Sequence, residues 1–140
     1  MDYKLELIVV PVADVDVSKA FYMDQCGFDL VVDHTAGDFR IVQLVPHGSS
    51  CAIAMMKTSP MEPGSLHGLH LVVTDIAAAR AELVGRGVAI GEAFHYGIAG
   101  QPEPGVDENH VDYSTFMELK DPDGNTWLIQ EVGYVAAAGA

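Results

Sequence analysis

The chain has 140 residues, 49% of them hydrophobic, enough for a packed core and too apolar for a disordered chain. Its formal charge is −13 with only seven Lys and Arg, which disfavours nucleic acid and anionic membrane as partners. No apolar run reaches the ~18 residues of a membrane span, Met1 to Glu6 lacks the pattern of a secretion signal, and the two cysteines, Cys26 and Cys51, have neither disulfide-framework nor zinc spacing, so the expectation is one cytoplasmic domain over 1–140 with reduced core thiols.

Lys4 to Val12 reads as a strand, apolar on both faces beyond Glu6. Asp14 or Asp16 then supplies a helix N-cap, with Val17, Ala20, Phe21 and Asp24 at helical spacing and Gly27 as the stop. Phe28 to Val32, Phe39 to Val45 and Cys51 to Met56 read as three strands, separated by Gly37-Asp38 and by His47 to Ser50. The pattern then restarts. Val12-Ala13-Asp14-Val15 recurs as Val73-Thr74-Asp75-Ile76, 61 residues on. An Ala-rich helix follows from Ala77 to about Gly85, with Gly87 as its stop. Val88 to Ile90 or beyond, Thr115 to Leu119 and Thr126 to Val132 are the next strands, the last one announced by the turn residues Asp121-Pro122-Asp123-Gly124-Asn125.

The last strands align at an offset of 76, so the second copy has 15 extra residues, assigned to Tyr96 to Asp112. That stretch is rich in Pro and Gly and carries Glu103, Asp107, Glu108, His110 and Asp112. A long irregular segment in a small domain reads either as a lid or as a surface insertion. The fold expected is α+β, with two tandem βαβββ modules, about 1–60 and 61–140.

This tandem order resembles the vicinal oxygen chelate superfamily of glyoxalase I, bleomycin-resistance proteins, fosfomycin-resistance enzymes and extradiol dioxygenases. The residues that carry the resemblance are Val12-x-Asp14 with Ala20-Phe21-Tyr22 and Gly27-Phe28, then Val73-x-Asp75, then Asp121 to Asn125. It implies a cavity enclosed by two sheet halves, often within a homodimer. It also implies where a metal would be held in metal-dependent members. The first-strand ligand lies five residues before the Val of Val-x-Asp, here Leu7 and Gly68. The last-strand ligand lies four residues after the turn Gly, here Leu128, with Ala52 opposite it by the repeat offset. None of these four has a lone pair to offer, and a divalent ion needs several N or O donors at about 2.0–2.2 Å. The expectation is therefore no metal and no cofactor.

Strand alternation brings Val9, Ala54, His70 and Gln130 to the same cavity wall, two residues further along. His70 reads either as a ligand contact or as a core histidine; His67, of opposite parity, reads as surface. His95 and Tyr96 end a strand at the base of the insertion, where they would contact a ligand or form an exposed strand end. Gln130 needs a buried partner, His70 or a ligand. Glu131 shares the parity of Ile129 and should face away from the cavity, while Glu118, with the parity of Phe116, reads as a solvent-facing carboxylate. The ligand-contact set is Leu7, Val9, Ala54, His70, His95, Tyr96, Phe116, Leu128 and Gln130, with His70 and His95 as the acid/base candidates should a reaction occur.

The reading preferred is a metal-independent pocket for an apolar or aromatic small molecule. The competing readings are a lyase, isomerase or dioxygenase that uses histidine acid/base chemistry, a displaced metal at His70 and Gln130 completed by His95, Glu118 or His110, and an interaction module with a collapsed cavity.

Overall fold

Asp14 and Asp75 start the two helices by the same device. Each adopts an extended backbone and accepts backbone N–H groups on its carboxylate: Asp14 from Asp16 and Val17, Asp75 from Ala78. The structure, a computed structural model, describes residues 1–136. Its α1 (Val15–Ala20) runs into a single π-helical turn, Phe21–Gln25, in which Cys26 N–H bonds the Phe21 carbonyl. Gly27, at φ 78°, then reverses the chain. The buried helical residues are Val15, Ser18, Phe21 and Tyr22, whereas Val17 is exposed, so the helix shows the core a face rotated from the one its apolar spacing predicts. The longer α2 (Ile76–Gly85) ends in a Schellman closure: Val88 N–H bonds Leu83 O, Gly87 N–H bonds Val84 O, and Gly87 takes φ 84°.

The strands form two mixed sheets, giving an α+β fold. In the first, β1 (Leu7–Val9), β2 (Asp29–Ala36), β3 (Phe39–Val45) and β4 (Ala52–Met56) lie in the order β1-β4-β3-β2. In the second, β5 (His67–Val73), β6 (Phe94–Tyr96), β7 (Pro102–Pro104), β8 (Thr115–Lys120) and β9 (Thr126–Glu131) lie in the order β5-β9-β8-β6-β7. The first strand of each repeat pairs in parallel with the last, and the remaining pairs are antiparallel.

The chain divides into two compact units. One is Met1–Leu66 with Asp121–Asn125; the other is His67–Lys120 with the chain from Thr126 on. The turn Asp121 to Asn125, though it joins β8 to β9, thus belongs with the first unit. There Asp121, 4% exposed, accepts Tyr22 Oη at 2.8 Å and Asn125 Nδ2 at 2.7 Å, besides the backbone N–H groups of Asp123 and Asn125. Asn125 also donates to Pro11 O and accepts from Leu66 N–H, and Asp123 accepts Ala13 N–H. A buried carboxylate is tolerable only when so satisfied.

Three expectations change. The strand expected from Val88 begins only at Phe94 and runs to Tyr96, and Ile90 makes an isolated bridge to Leu119. The insertion is not wholly irregular, because Pro102–Pro104 pairs back on Phe94–Tyr96 as a hairpin. Cys26 and Cys51 are free but half-buried, not core thiols.

Candidate functional site

In β9, Trp127, Ile129 and Glu131 are buried, while Thr126, Leu128 and Gln130 are half-buried on the other face. The buried face is the α2 side, since the Glu131 carboxylate accepts Ile76 N–H at 3.0 Å. The opposite face of this sheet is accessible, and the register arranges it in rows. His67, Thr126 and Lys120 form one row; His70, Leu128 and Glu118 the next; Val72, Gln130, Phe116 and Phe94 the third. The face therefore grades from ionisable side chains at one end to apolar ones at the other. At the apolar end three rings meet: Phe94 stacks on Phe116 with centroids 5.9 Å apart, and Tyr96 packs edge-on against both at 5.9 and 5.7 Å.

His67 lies on this face although simple alternation puts it on the other. A bulge absorbs one residue between His67 and Leu69, and Gly68, at φ 98°, is that residue. His67 Nδ1 is 2.6 Å from Thr126 Oγ1. His70 is exposed, and its Nδ1 lies 2.9 Å from the Gly68 carbonyl; only an N–H can bond a carbonyl, so in the neutral ring Nδ1 carries the proton and Nε2 is the acceptor. His70 is thus bonded to backbone and not to Gln130, which stands opposite Val72.

His95 parts company with Tyr96. It pairs with Thr115, a buried α2-side residue, and its ring bonds Gly105 O at 2.7 Å with Glu103 Oε2 3.5 Å from Nε2. Adjacent strand residues point to opposite faces, so the ring cluster that holds Tyr96 excludes His95. Asp107 lies near this group, and its carboxyl is held below its ordinary value by hydrogen bonds from Asn109 N–H and Ser114 Oγ, with further help from Val111 N–H and the His95 charge.

In the first unit, Val9 pairs with Ala54, which pairs with Gln43. Leu7 and Val9 are half-buried, whereas Ala54 has no exposed surface. This register also corrects the repeat. Val9 answers to His70 at the offset of 61, and their partners are Ala54 and Leu128, which are 74 residues apart rather than 76. The second copy therefore has 13 extra residues, and Ala54, not Ala52, is the counterpart of Leu128.

The match to known proteins now follows. The model of the glyoxalase/bleomycin resistance protein/dioxygenase superfamily matches residues 4–129. The chain belongs to that superfamily. Among solved structures it is similar to TnmS3, an antibiotic binding protein from Streptomyces sp. CB03234, at 30% identity and a TM-score of 0.73, covering 93% of this chain and 96% of that one. A glyoxalase/bleomycin resistance protein from the same Streptomyces is 31% identical with a TM-score of 0.70, covering 91% of this chain and all of that one. An uncharacterized Bacillus subtilis (strain 168) protein, YetH, is 27% identical over 130 residues, 89% of this chain and 94% of its own.

Within this superfamily the question of a metal is one of donors. With the register corrected, the positions implied for ligands are Leu7, Ala54, Gly68 and Leu128, and three have hydrocarbon side chains while the fourth is the bulge glycine. They do not fit a divalent cation. Among the described residues, no group of three or more His, Cys, Asp or Glu is placed to hold one, and His95 and His110 are engaged elsewhere. Phe94, Val72, His67, Thr126 and Lys120 are face residues that sequence reasoning did not place there. Phe94 was within reach, since it stands two residues before Tyr96 on the same strand.

Proposed function

We propose that this member of the superfamily binds an apolar or aromatic small molecule, without a metal, on the accessible face of β5, β9, β8 and β6. The observation that carries the reading is the cluster of Phe94, Tyr96 and Phe116 rings beside Leu128 and Val72, at the end of a face whose other end offers His70, Glu118 and Gln130. Rings bind rings by stacking and area, and a few polar groups orient what is bound. The antibiotic-binding activity of TnmS3, similar over nearly the whole chain, supports a binding role. In the first unit, Leu7, Val9 and Ala54 form the matching row, and contacts from it to a small molecule are proposed for that unit by itself. His95 stays outside the ring cluster, on the other face of β6, where it lines a separate cavity together with Tyr96, Gln101 and Glu103.

The test is native mass spectrometry of the purified protein, followed by calorimetric titration with neutral and charged polycyclic aromatics. A bound aromatic or micromolar affinity for one supports the reading; failure of every aromatic to bind, with the protein folded, overturns it.

A second reading, an acid/base enzyme of the lyase or isomerase kind, is favoured by one observation. In the neutral His70 ring the Gly68 carbonyl selects the tautomer whose Nε2 is the acceptor, the arrangement a general base uses. Loss of turnover in His70→Ala with binding retained would select it. A homodimer and a cytoplasmic location complete the proposal; Leu30 and Val31, exposed on edge strand β2, are the apolar surface that supports pairing, and sedimentation equilibrium checks it. No helix among the described residues is long and apolar enough to cross a membrane.

A further inference from the structure

Residues 106–114, between β7 and β8, contain no helix or strand, yet they are tied down at every turn. Asp107 organises the segment from within: its backbone N–H bonds Thr115 Oγ1, and its carboxylate accepts Asn109 N–H, Val111 N–H and Ser114 Oγ. Asp112 Oδ1 accepts Gly133 N–H at 2.8 Å, and Tyr113 N–H bonds Glu131 O. The firmest tie is His110. Its Nδ1 is 2.6 Å from Oε1 of Glu131, a side chain only 1% exposed, and its ring stacks on Tyr134 with centroids 3.6 Å apart and planes within 7°.

Two residues in this short stretch, His110 at φ 48° and Tyr113 at φ 66°, occupy the left-handed region without being glycine. Such conformations persist only where surrounding contacts outweigh them. The segment is therefore loaded against its own ties. The other oxygen of Glu131 holds Ile76 N–H at the start of α2, so one buried carboxylate joins the segment, the end of β9 and a ten-residue helix.

We infer that residues 106–114 form a latched strap: the Glu131–His110–Tyr134 contact holds it shut, and its release lets the whole segment open as one unit together with the first turn of α2. Strand alternation gives the strap a bearing on the accessible face. Glu131 is followed back by Gln130, and Thr115, which anchors Asp107, is followed by Phe116. The strap grips β8 and β9 from the α2 side at residues adjacent to Phe116 and Gln130 on the accessible face. The inference does not depend on what, if anything, binds there.

Native-state amide hydrogen exchange on the full chain tests it. His110→Asn keeps a residue that tolerates the left-handed backbone and removes the imidazole. The expected result is at least a tenfold rise in exchange, shared by the amides of Asn109, Val111, Tyr113, Ser114, Gly133 and Ile76, while those of Gln43 and Ile53 in β3 and β4 stay within twofold. Tyr134→Ala, which removes only the stacked ring, should raise the same group to a lesser degree, and it serves as the readout if His110→Asn does not fold. Rates that change only beside the substituted residue, or that do not change as a group, overturn the inference.

Discussion

Tyr22 and Asp121, 99 positions apart, are joined by a buried 2.8 Å hydrogen bond. The π-helical turn after α1 carries the phenol, and the turn between β8 and β9 carries the carboxylate. Removing the donor leaves Asp121 buried with one fewer partner. Tyr22→Phe should therefore lower stability by about 1.5–3 kcal/mol, the range for hydrogen bonds to charged groups. Urea denaturation followed by Trp127 fluorescence measures it, and a midpoint unchanged from wild type would contradict the role given to this pair.

Gly64 sits against the same turn. Its φ is +80°, and a Cβ built there would collide with the backbone carbonyl oxygen of Asp123. Gly37 has a comparable φ of +60° with nothing within 4 Å. Both alanine substitutions incur the left-handed penalty of about 1–2 kcal/mol. Gly64→Ala should cost clearly more than Gly37→Ala, because backbone has to move. Equal thermal midpoints for the two variants would show that the turn is not held where the contact requires.

The opposite facing of Phe116 and His95 makes a paired test of the ligand face. Phe116→Ala should weaken binding of an aromatic ligand about tenfold, which is about 1.4 kcal/mol and within reach of a lost ring contact. His95→Ala should leave affinity within twofold. The comparison is made by isothermal titration, and the reverse ranking would move the site to the other side of the sheet.

Asp33 accepts Arg40 at 3.0 and 3.1 Å and Lys19 at 2.8 Å. The hydrogen bonds from Arg40 and then Lys19 hold its carboxyl well below the usual carboxylate range. A depressed value means that the pair stabilises the fold fully above the unfolded value, about pH 4, and ceases to as pH falls through the lower folded value. Asp33→Asn should accordingly melt below wild type at pH 7, and the gap should narrow as the pH is brought under 3. Scanning calorimetry across that range checks the sign; a gap that widens in acid would refute it.

Much of this fold is legible in local chemistry. Asp14 and Asp75 cap helices because a carboxylate one residue ahead can reach free N–H groups, and Gly27 and Gly87 end helical turns because they tolerate positive φ. The repeat of these signals gave the tandem order. The candidate site was harder. His70, Leu128 and Gln130 fall on one face as alternation predicts, Tyr96 and Phe116 share it, His67 joins them and His95 does not. Alternation counts residues from a starting point, and a bulge or a misjudged strand start reverses every later assignment.

The sequence by itself determined the superfamily and the α+β class, since both follow from residue identity at short range or at a fixed spacing. Only the tertiary structure decided the register that equates Ala54 with Leu128, the burial of Asp121 and Glu131, and the tie from Glu131 to His110. These depend on which distant groups come within 3 Å of each other. A carboxylate looks the same in a sequence whether water or a histidine lies beside it.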